Sequence, residues 1–101
     1  MFRLIAIVKP FRLDAVLESL RGLDVRDVCV SEVRGYGRQK GHLELYSGTE
    51  YTITFLPKVR LEMLVSPVAL EPTIEAIGRA ARTGRIGDGK IFVLAGEAAP
   101  A

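Results

Sequence analysis

The sequence is poor in the residues that bind soft metals, with one cysteine and one histidine among its 101 residues. A single cysteine excludes a disulfide framework within the chain and a cysteine-rich zinc site. A metal site built by this chain would therefore consist mostly of oxygen ligands, and a reducing, cytoplasmic setting fits best. The chain lacks the run of about 18 apolar residues that a membrane-spanning helix needs. Its net charge of +2 is too small to indicate a nucleic-acid partner by itself.

Apolar residues are nevertheless abundant, at 49% of the chain, which is typical of one folded domain with a modest core. Hydrophobic periodicity predicts two helices, at 12–21 and 69–82, and four strands, at 2–8, 25–35, 53–65 and 90–94. The order β-α-β-β-α-β is that of the ferredoxin-like α+β fold, an antiparallel four-stranded sheet with two helices on one face. We expect a single domain over residues 1–95 and a flexible tail over 96–101.

The first and last strands are apolar on both faces, although two helices can cover only one face of the sheet. The open face therefore predicts a homo-oligomer, with clefts between subunits as candidate ligand sites. The alternative is a monomer whose open face is semi-polar. The side chains that would then point to water are Arg3, Lys58, Arg60 and Glu62. On the second strand we expect Val28, Val30 and Val33 to lie on the buried side.

One basic, glycine-punctuated stretch follows the second strand: Arg34–His42, with the sequence RGYGRQKGH. Glycines let the backbone adopt positive φ and let a ligand approach its N–H groups, and Arg34, Arg38 and Lys40 add positive charge. Backbone donors and cations in one turn can bind an anion such as phosphate. A solvated basic hairpin loop is the alternative interpretation. The loop that begins here, at about 37–55, is long for a compact domain, and such loops are usually functional or disordered.

A second stretch, Thr83–Lys90, with the sequence TGRIGDGK, has the same chemistry between the second helix and the last strand. Its N–H groups could bind phosphate, Lys90 could add a point charge, and Asp88 could accept hydrogen bonds from ribose hydroxyls. The stretch ends a helix rather than opening one, so it matches neither the Walker A loop nor the Rossmann pattern. An ordinary glycine turn after a helix is the alternative interpretation.

No catalytic set emerges from the sequence, and we expect a protein that is not an enzyme. His42 is the only histidine and lies in the long loop, without a cysteine or a serine–aspartate pair placed to activate it. Glu44 and Glu50 are loop carboxylates with no argument for burial. Cys29 lies in mid-strand, where a small core or pocket-wall residue is expected rather than a nucleophile. Tyr51 lies in the loop, where a partner protein or a modifying enzyme could reach it.

Two long motifs at matching spacing make the chain closely resemble the PII signal-transduction family over nearly its whole length, from residues 5–11 to 91–93. The first motif is EVRGYGRQKGH at 32–42 with FLPK at 55–58, and the second is RTGRIGDGKIF at 82–92. The resemblance implies a homotrimer of ferredoxin-like subunits that binds ATP or ADP in three intersubunit clefts, with Mg²⁺ and 2-oxoglutarate beside the ATP. It also implies regulation of a partner transporter or enzyme through the long loop, the T-loop of this family, and no catalysis.

The resemblance assigns site residues by position. Those implied around the phosphates are Gly35, Gly37, Arg38, Gly87, Gly89 and Lys90, with Asp88 at the ribose. Those implied around the adenine are Ile7, Cys29, Glu62, Leu64 and Thr83. Those implied around the small anion are Gln39, Lys40, Gly41 and Lys58, and Gln39 would also hold the metal. Tyr51 matches the tyrosine that some members carry as a nucleotidylation target.

Two departures from the family pattern affect these assignments. The family usually has threonine where this chain has Cys29, a weaker hydrogen-bonding group. The family also carries two arginines after the last strand that close over the phosphates, whereas residues 95–101 here contain no arginine. Because each charge-assisted contact contributes roughly 1.5–3 kcal/mol, we expect ADP or AMP to bind at least as well as ATP. With weak ATP binding, bicarbonate becomes a candidate anion, because some PII-like branches accompany inorganic-carbon uptake.

The sequence therefore predicts a non-enzymatic sensor of ADP, AMP or ATP, acting together with bicarbonate or 2-oxoglutarate. Its partner would be a transporter or enzyme of nitrogen or inorganic-carbon metabolism. The alternative is a small ferredoxin-like metal-binding or enzymatic module without nucleotide sensing. RNA binding on the open face is disfavoured, because the third strand presents Lys58, Arg60 and Glu62 there rather than exposed aromatic side chains.

Overall fold

The computed structural model describes residues 1–35, 56–85 and 88–95. The strands are β1 (Phe2–Val8), β2 (Val25–Gly35), β3 (Leu56–Val65) and β4 (Gly89–Ala95). The helices are α1 (Leu13–Ser19), preceded by a 3₁₀ turn at Pro10–Arg12, and α2 (Leu70–Ala81). The strands lie in the order β2-β3-β1-β4, and every neighbouring pair is antiparallel. The predicted ferredoxin-like fold of one chain is thus confirmed.

Alternation along the two central strands separates a buried face of the sheet from an open face. On β1 the side chains of Leu4, Ala6 and Val8 are buried, whereas those between them are only partly buried. The buried side chains of β3 are Val59, Leu61, Met63 and Val65. The helix side chains in the same core are Val16, Leu20, Ile77 and Ala81. Full burial of one large apolar side chain stabilises the fold by roughly 1.5–3 kcal/mol, so this one layer holds the fold together.

Both helices are slightly shorter than predicted. α1 begins at Leu13, because Pro10 opens a 3₁₀ turn in which the Leu13 N–H donates to the Pro10 carbonyl. It ends at Ser19, because the N–H groups that follow bond three residues back, in the tighter 3₁₀ pattern. α2 carries Pro72 in its first turn, where the missing N–H has no partner within the helix and is tolerated.

β2 does not bury the side chains that the sequence predicts. Asp27 has a φ of 55°, and the pairing with β3 shifts in register at this point, so the strand carries a bulge. Val30 pairs with the buried Leu61 and so lies on the predicted face of the sheet. Val28 and Val30 are nevertheless 38% and 45% exposed, respectively, so neither is buried. The physical reason is that β2 is an outer strand of the sheet, beyond the part that the helices cover.

Two residues that were expected elsewhere lie on the open face of the sheet. Val33 pairs with Lys58, and Cys29 pairs with Glu62. Both β3 partners alternate with the buried side chains of that strand, so Val33 lies on the face opposite to the predicted one. The Cys29 thiol is exposed in the single chain, so its predicted position in the core is wrong. Its predicted position in a pocket wall stays a prediction.

Thr73, on α2, is a buried polar residue whose hydroxyl has no hydrogen-bond partner among the described residues. A buried hydroxyl without a partner costs about 1–3 kcal/mol. We therefore expect Thr73→Val, which replaces the hydroxyl by a methyl of similar size, to raise the free energy of unfolding by about 1 kcal/mol in urea denaturation. Thr73→Ser keeps the hydroxyl, removes a methyl and should lower it. A valine variant less stable than the unmodified protein would contradict the prediction.

Candidate functional site

Three charged residues lie side by side where the sheet meets the connection between α2 and β4. The last pairs of both β1 ladders join Val8 to Val59 of β3 and to Gly89 of β4. One step further along each strand, the register places three residues in a row: Lys58, Lys9 and Asp88. Two ammonium groups and one carboxylate therefore meet at this end of the sheet.

The carboxylate of Asp88 accepts hydrogen bonds from four donors. The backbone N–H groups of Thr83 and Gly84 donate to Oδ2 over 2.9 and 3.0 Å. The Thr83 hydroxyl donates to Oδ1, and the Lys9 ammonium donates to the same oxygen over 3.1 Å. Because a carboxylate offers about four acceptor positions, this one is fully engaged within its own chain.

The Thr83 hydroxyl is engaged to its full capacity as well. It accepts hydrogen bonds from the Lys9 ammonium and from the Arg85 N–H, both over 3.3 Å, while it donates to Asp88. One donor and two acceptor positions are all that a hydroxyl has. A ligand that bonds the side chain of Thr83 or Asp88 must therefore replace one of these partners.

The contacts in this cluster shift the pKa values of two residues, Asp88 and Lys58. The hydrogen bonds from the Thr83 hydroxyl and the Thr83 N–H hold the pKa of the Asp88 carboxyl well below its usual range; bonds from Lys9 and Gly84 add to the effect, and desolvation opposes it. Partial burial, followed by the charge of Lys9, lowers the pKa of the Lys58 ammonium, and Asp88 opposes that shift. A cluster with a net positive charge attracts further anions.

Asp88 is expected to contribute to acid unfolding. Its pKa is lower in the folded than in the unfolded state, so the carboxylate stabilises the fold above the unfolded value of about 4, and this contribution is lost as the pH falls below it. We expect Asp88→Asn to lower the free energy of unfolding at neutral pH, and its deficit to shrink on acidification to about pH 3. Urea denaturation at both pH values measures this.

The control for that comparison is Asp24→Asn, because the Asp24 carboxylate is exposed and bonds only the exposed Arg26 among the described residues. It should change the stability little at either pH. A deficit of Asp88→Asn that is equally large in acid and at neutral pH would contradict the assignment, because a pH-independent loss cannot come from titration.

Residues that were predicted around an adenine ring share the open face of the sheet. Ile7 pairs with both Lys90 of β4 and Arg60 of β3. The Glu62 carboxylate lies 2.8 Å from the Arg60 guanidinium and 3.6 Å from that of Arg3. Glu62 therefore has two cationic partners on this face, and its orientation is set by them.

One chain does not bring all the predicted residues together. Lys58 and Leu64 lie on the same face of β3, but they are six residues apart in one strand, which corresponds to roughly 20 Å. Leu64 is therefore remote from the Thr83–Lys90 stretch of its own chain. A pocket that contained both would need two copies of the chain.

Two clefts flank the row of charges. One, of about 280 Å³, lies between α2 and β4 and has an apolar floor of Ile77, Ala81 and Ile91 with Asp88 and Lys90 at its edge. The other, of about 340 Å³, lies at the end of the β2–β3 pair where residues 32–34 lie opposite residues 57–59. Its charged lining residues are Arg34, Lys58 and Glu32. The second cleft thus contains the cation that was predicted to bind a small anion.

The remaining predicted site residues divide into two groups. Thr83, Asp88, Gly89 and Lys90 lie in or beside one turn, and Gly35 is the last residue of β2, opposite Leu56. The others lie outside the described residues: Gly37, Arg38, Gln39, Lys40, Gly41, Tyr51 and Gly87. The same holds for the whole of the predicted loop at 37–55 and for the tail at 96–101.

Lys9 is the residue of this site that sequence reasoning missed. Its contact with Asp88 spans 79 residues of sequence and depends on the register of three strands. The only local signal is the position of Lys9, directly after a buried strand and before Pro10. A shift of one residue in strand pairing would move every side chain to the other face of the sheet. The register that brings Lys9 to Asp88 therefore cannot be predicted from this local signal.

Within residues 1–35, 56–85 and 88–95, no helix is long and apolar enough to cross a membrane. The same ranges contain no group of three or more histidine, cysteine, aspartate or glutamate side chains placed to share a metal ion. The predicted metal ligand Gln39 lies outside these ranges, so the metal assignment stays a prediction.

Comparison with known proteins gives one consistent result. The family model described as Nitrogen regulatory protein P-II matches residues 1–99. A protein of that name from Rhodospirillum rubrum is 55% identical over 94 residues, which are 93% of this chain and 84% of the relative. Proteins of the same name from Mesorhizobium japonicum and Pasteurella multocida are each 57% identical over 88 residues, covering 87% of this chain and 79% of each relative.

Proposed function

This chain belongs to the nitrogen regulatory protein P-II family of signal-transduction proteins, and from that premise we propose that it senses ADP, AMP or ATP in clefts between its subunits. The observation that carries the proposal is the meeting of Lys9, Lys58 and Asp88 with the Thr83–Lys90 stretch. Cations and a glycine-containing turn at one place are what phosphate binding needs.

The phosphates would lie against Gly89 and Lys90, where a residue without a side chain precedes a cation at the start of β4. The further residues proposed around them are Gly35, Gly37, Arg38 and Gly87. The adenine would lie against Thr83 and, from a second copy, against the open-face set of Ile7, Cys29, Glu62 and Leu64. An Asp88–ribose bond would require one of the four present donors to leave that carboxylate.

A small anion, bicarbonate or 2-oxoglutarate, would bind in the cleft that contains Lys58 and Arg34. Gln39, Lys40 and Gly41 belong to the same proposed site, and Mg²⁺ held by Gln39 would add a positive charge between the nucleotide and the anion. The charge of the described residues supports this placement, because Lys9 and Lys58 together outnumber the Asp88 carboxylate.

A homotrimer is the proposed assembly. On the open face of β4, the side chains of Phe92 and Leu94 are 49% and 41% exposed. Phe92 pairs with Ile5 and Leu94 with Arg3, so the exposed apolar surface is continuous with that of β1. An apolar sheet face of this kind favours cover by another copy of the chain.

We propose that the protein regulates a transporter or enzyme of nitrogen or inorganic-carbon metabolism through the loop at 37–55, without catalysis of its own. Tyr51, within that loop, is the candidate for modification. The reducing, cytoplasmic setting that the single cysteine favours belongs to the same proposal. The alternative is a metal-binding or enzymatic module. The described residues contain no group of three or more histidine, cysteine, aspartate or glutamate side chains that could share a metal ion.

A thermal-shift panel tests the nucleotide proposal. A ligand that binds only the folded state stabilises it by RT ln(1 + L/Kd), where L is the ligand concentration, so the melting temperature rises as the ratio of L to Kd increases. We expect ADP and AMP, and ATP to no greater extent, to raise it, with a further rise when bicarbonate or 2-oxoglutarate is added with Mg²⁺. GDP is the matched control, since it carries the same phosphates on another base. Adenylates that shift the melting temperature no more than GDP would overturn the proposal.

A further inference from the structure

Lys9 ties the connection between α2 and β4 to the body of the sheet. Of the four donors to the Asp88 carboxylate, three belong to Thr83 and Gly84, within five residues of it. These local bonds shape the turn, and the pairing of Gly89 with Val8 joins its β4 end to the sheet through the backbone. The fourth donor is the Lys9 ammonium, 79 residues away in sequence. It also donates to the Thr83 hydroxyl, so it connects both ends of the turn to the sheet through a side chain.

Lys9 is itself well placed to act as an anchor. It follows Val8, which is buried and pairs with strands on both sides. The backbone of Lys9 is extended, with φ of −69° and ψ of 141°, as the proline that follows it favours. Its side chain is only 18% exposed, and a charge-assisted hydrogen bond is stronger in such surroundings than in water.

We propose that Lys9 is the positioning residue of the adenylate site: it holds Thr83 and Asp88 in place beside Gly89 and Lys90, the residues that meet the phosphates. This inference rests on the proposed function and deepens it. In this proposal Lys9 holds the side chains of Thr83 and Asp88, and the neighbouring Gly89 and Lys90 contact the phosphates. A turn that is fixed before binding loses less conformational freedom when the ligand arrives.

Three variants test the proposal. Lys9→Met keeps the length of the side chain and removes its charge and its donors. We expect the Kd for ADP, measured by calorimetric titration, to rise about tenfold, because the variant loses the charge-assisted hydrogen bonds of Lys9 to Asp88 and Thr83. Lys9→Arg restores a donor and should stay within about threefold of the unmodified protein. Arg21→Met, at an exposed position of the α1 end, removes the same charge and should leave the affinity unchanged.

A second readout does not depend on any ligand. In the nucleotide-free protein, amide hydrogen exchange at Thr83 and Gly84 should become faster in Lys9→Met and remain slow in Arg21→Met, because both amides bond the carboxylate that Lys9 fixes. Exchange and ADP affinity that are unchanged in Lys9→Met would overturn the proposal. If the unmodified protein binds no adenylate, the proposed function fails. The exchange rates then still decide whether Lys9 positions the turn.

Discussion

Replacing Gly89 with alanine is expected to lower the free energy of unfolding by about 3 kcal/mol, with backbone strain and overpacking each contributing about 1–3 kcal/mol. Gly89 has a φ of 148°, in the region that residues with a side chain rarely adopt. A Cβ there would lie 2.2 Å from the carbonyl oxygen of Ile7. Because the obstacle is backbone of the central strand β1, it cannot move aside as a flexible side chain would.

The matched control is Gly78→Ala on α2. Apart from its chain neighbours and the backbone of its own helix, no heavy atom lies within 4 Å of the position that its Cβ would occupy. Alanine is favoured over glycine inside a helix by about 1 kcal/mol. The two glycine-to-alanine changes should therefore shift the midpoint of urea denaturation in opposite directions. A Gly89→Ala protein as stable as the unmodified one would show that β4 does not approach β1 as closely as this register requires.

Replacing Phe92 with aspartate is expected to convert the proposed homotrimer into a monomer. Phe92 lies on the open face of β4, beside Ile5, in the surface that a second copy is proposed to cover. A carboxylate buried there without a partner costs several kcal/mol. A cost of this size is expected to prevent subunit association of moderate affinity. Light scattering coupled to size exclusion should therefore report a mass close to that of one 11.1 kDa chain.

The control for this change is Val68→Asp, which adds the same charge at the turn before α2, where the side chain is 90% exposed. It should leave the mass of the assembly at about three chains. An unmodified protein that is already monomeric would contradict the proposed trimer, and a Phe92→Asp protein of unchanged mass would show that the open face of β4 is not the contact.

Much of the fold could be predicted because its signals are local. The bounds of β1 and β2 agree with the sequence-based prediction, and both helices agree within two residues at each end, because apolar periodicity and nearby glycine or proline mark them. The exposure of Val28 and Val30 could not be predicted. It depends on a bulge at Asp27 and on the outer position of β2 in the sheet, and neither is encoded in the alternation of the strand itself.

As with the fold, the local features of the site could be predicted from the sequence and the non-local ones could not. Thr83, Asp88 and Lys90 share a short glycine-rich stretch, so their chemistry is visible in the sequence, and the hydrogen bonds between Thr83 and Asp88 are local. Lys9 joins them only through pairing between distant strands. The sequence pattern therefore indicates which groups could bind an anion, whereas strand register determines which cation completes the cluster.

The most direct test of the account is to add ADP to isotopically labelled protein and to follow the backbone amide resonances. The account predicts that the largest shifts occur at Thr83, Gly84, Gly89 and Lys90, with Lys9 following because it bonds the same turn. Amides of α1, at residues 13–19, should stay unchanged. ADP that moves none of the turn resonances, or that moves those of α1 instead, would contradict the claim that this turn is where the nucleotide binds.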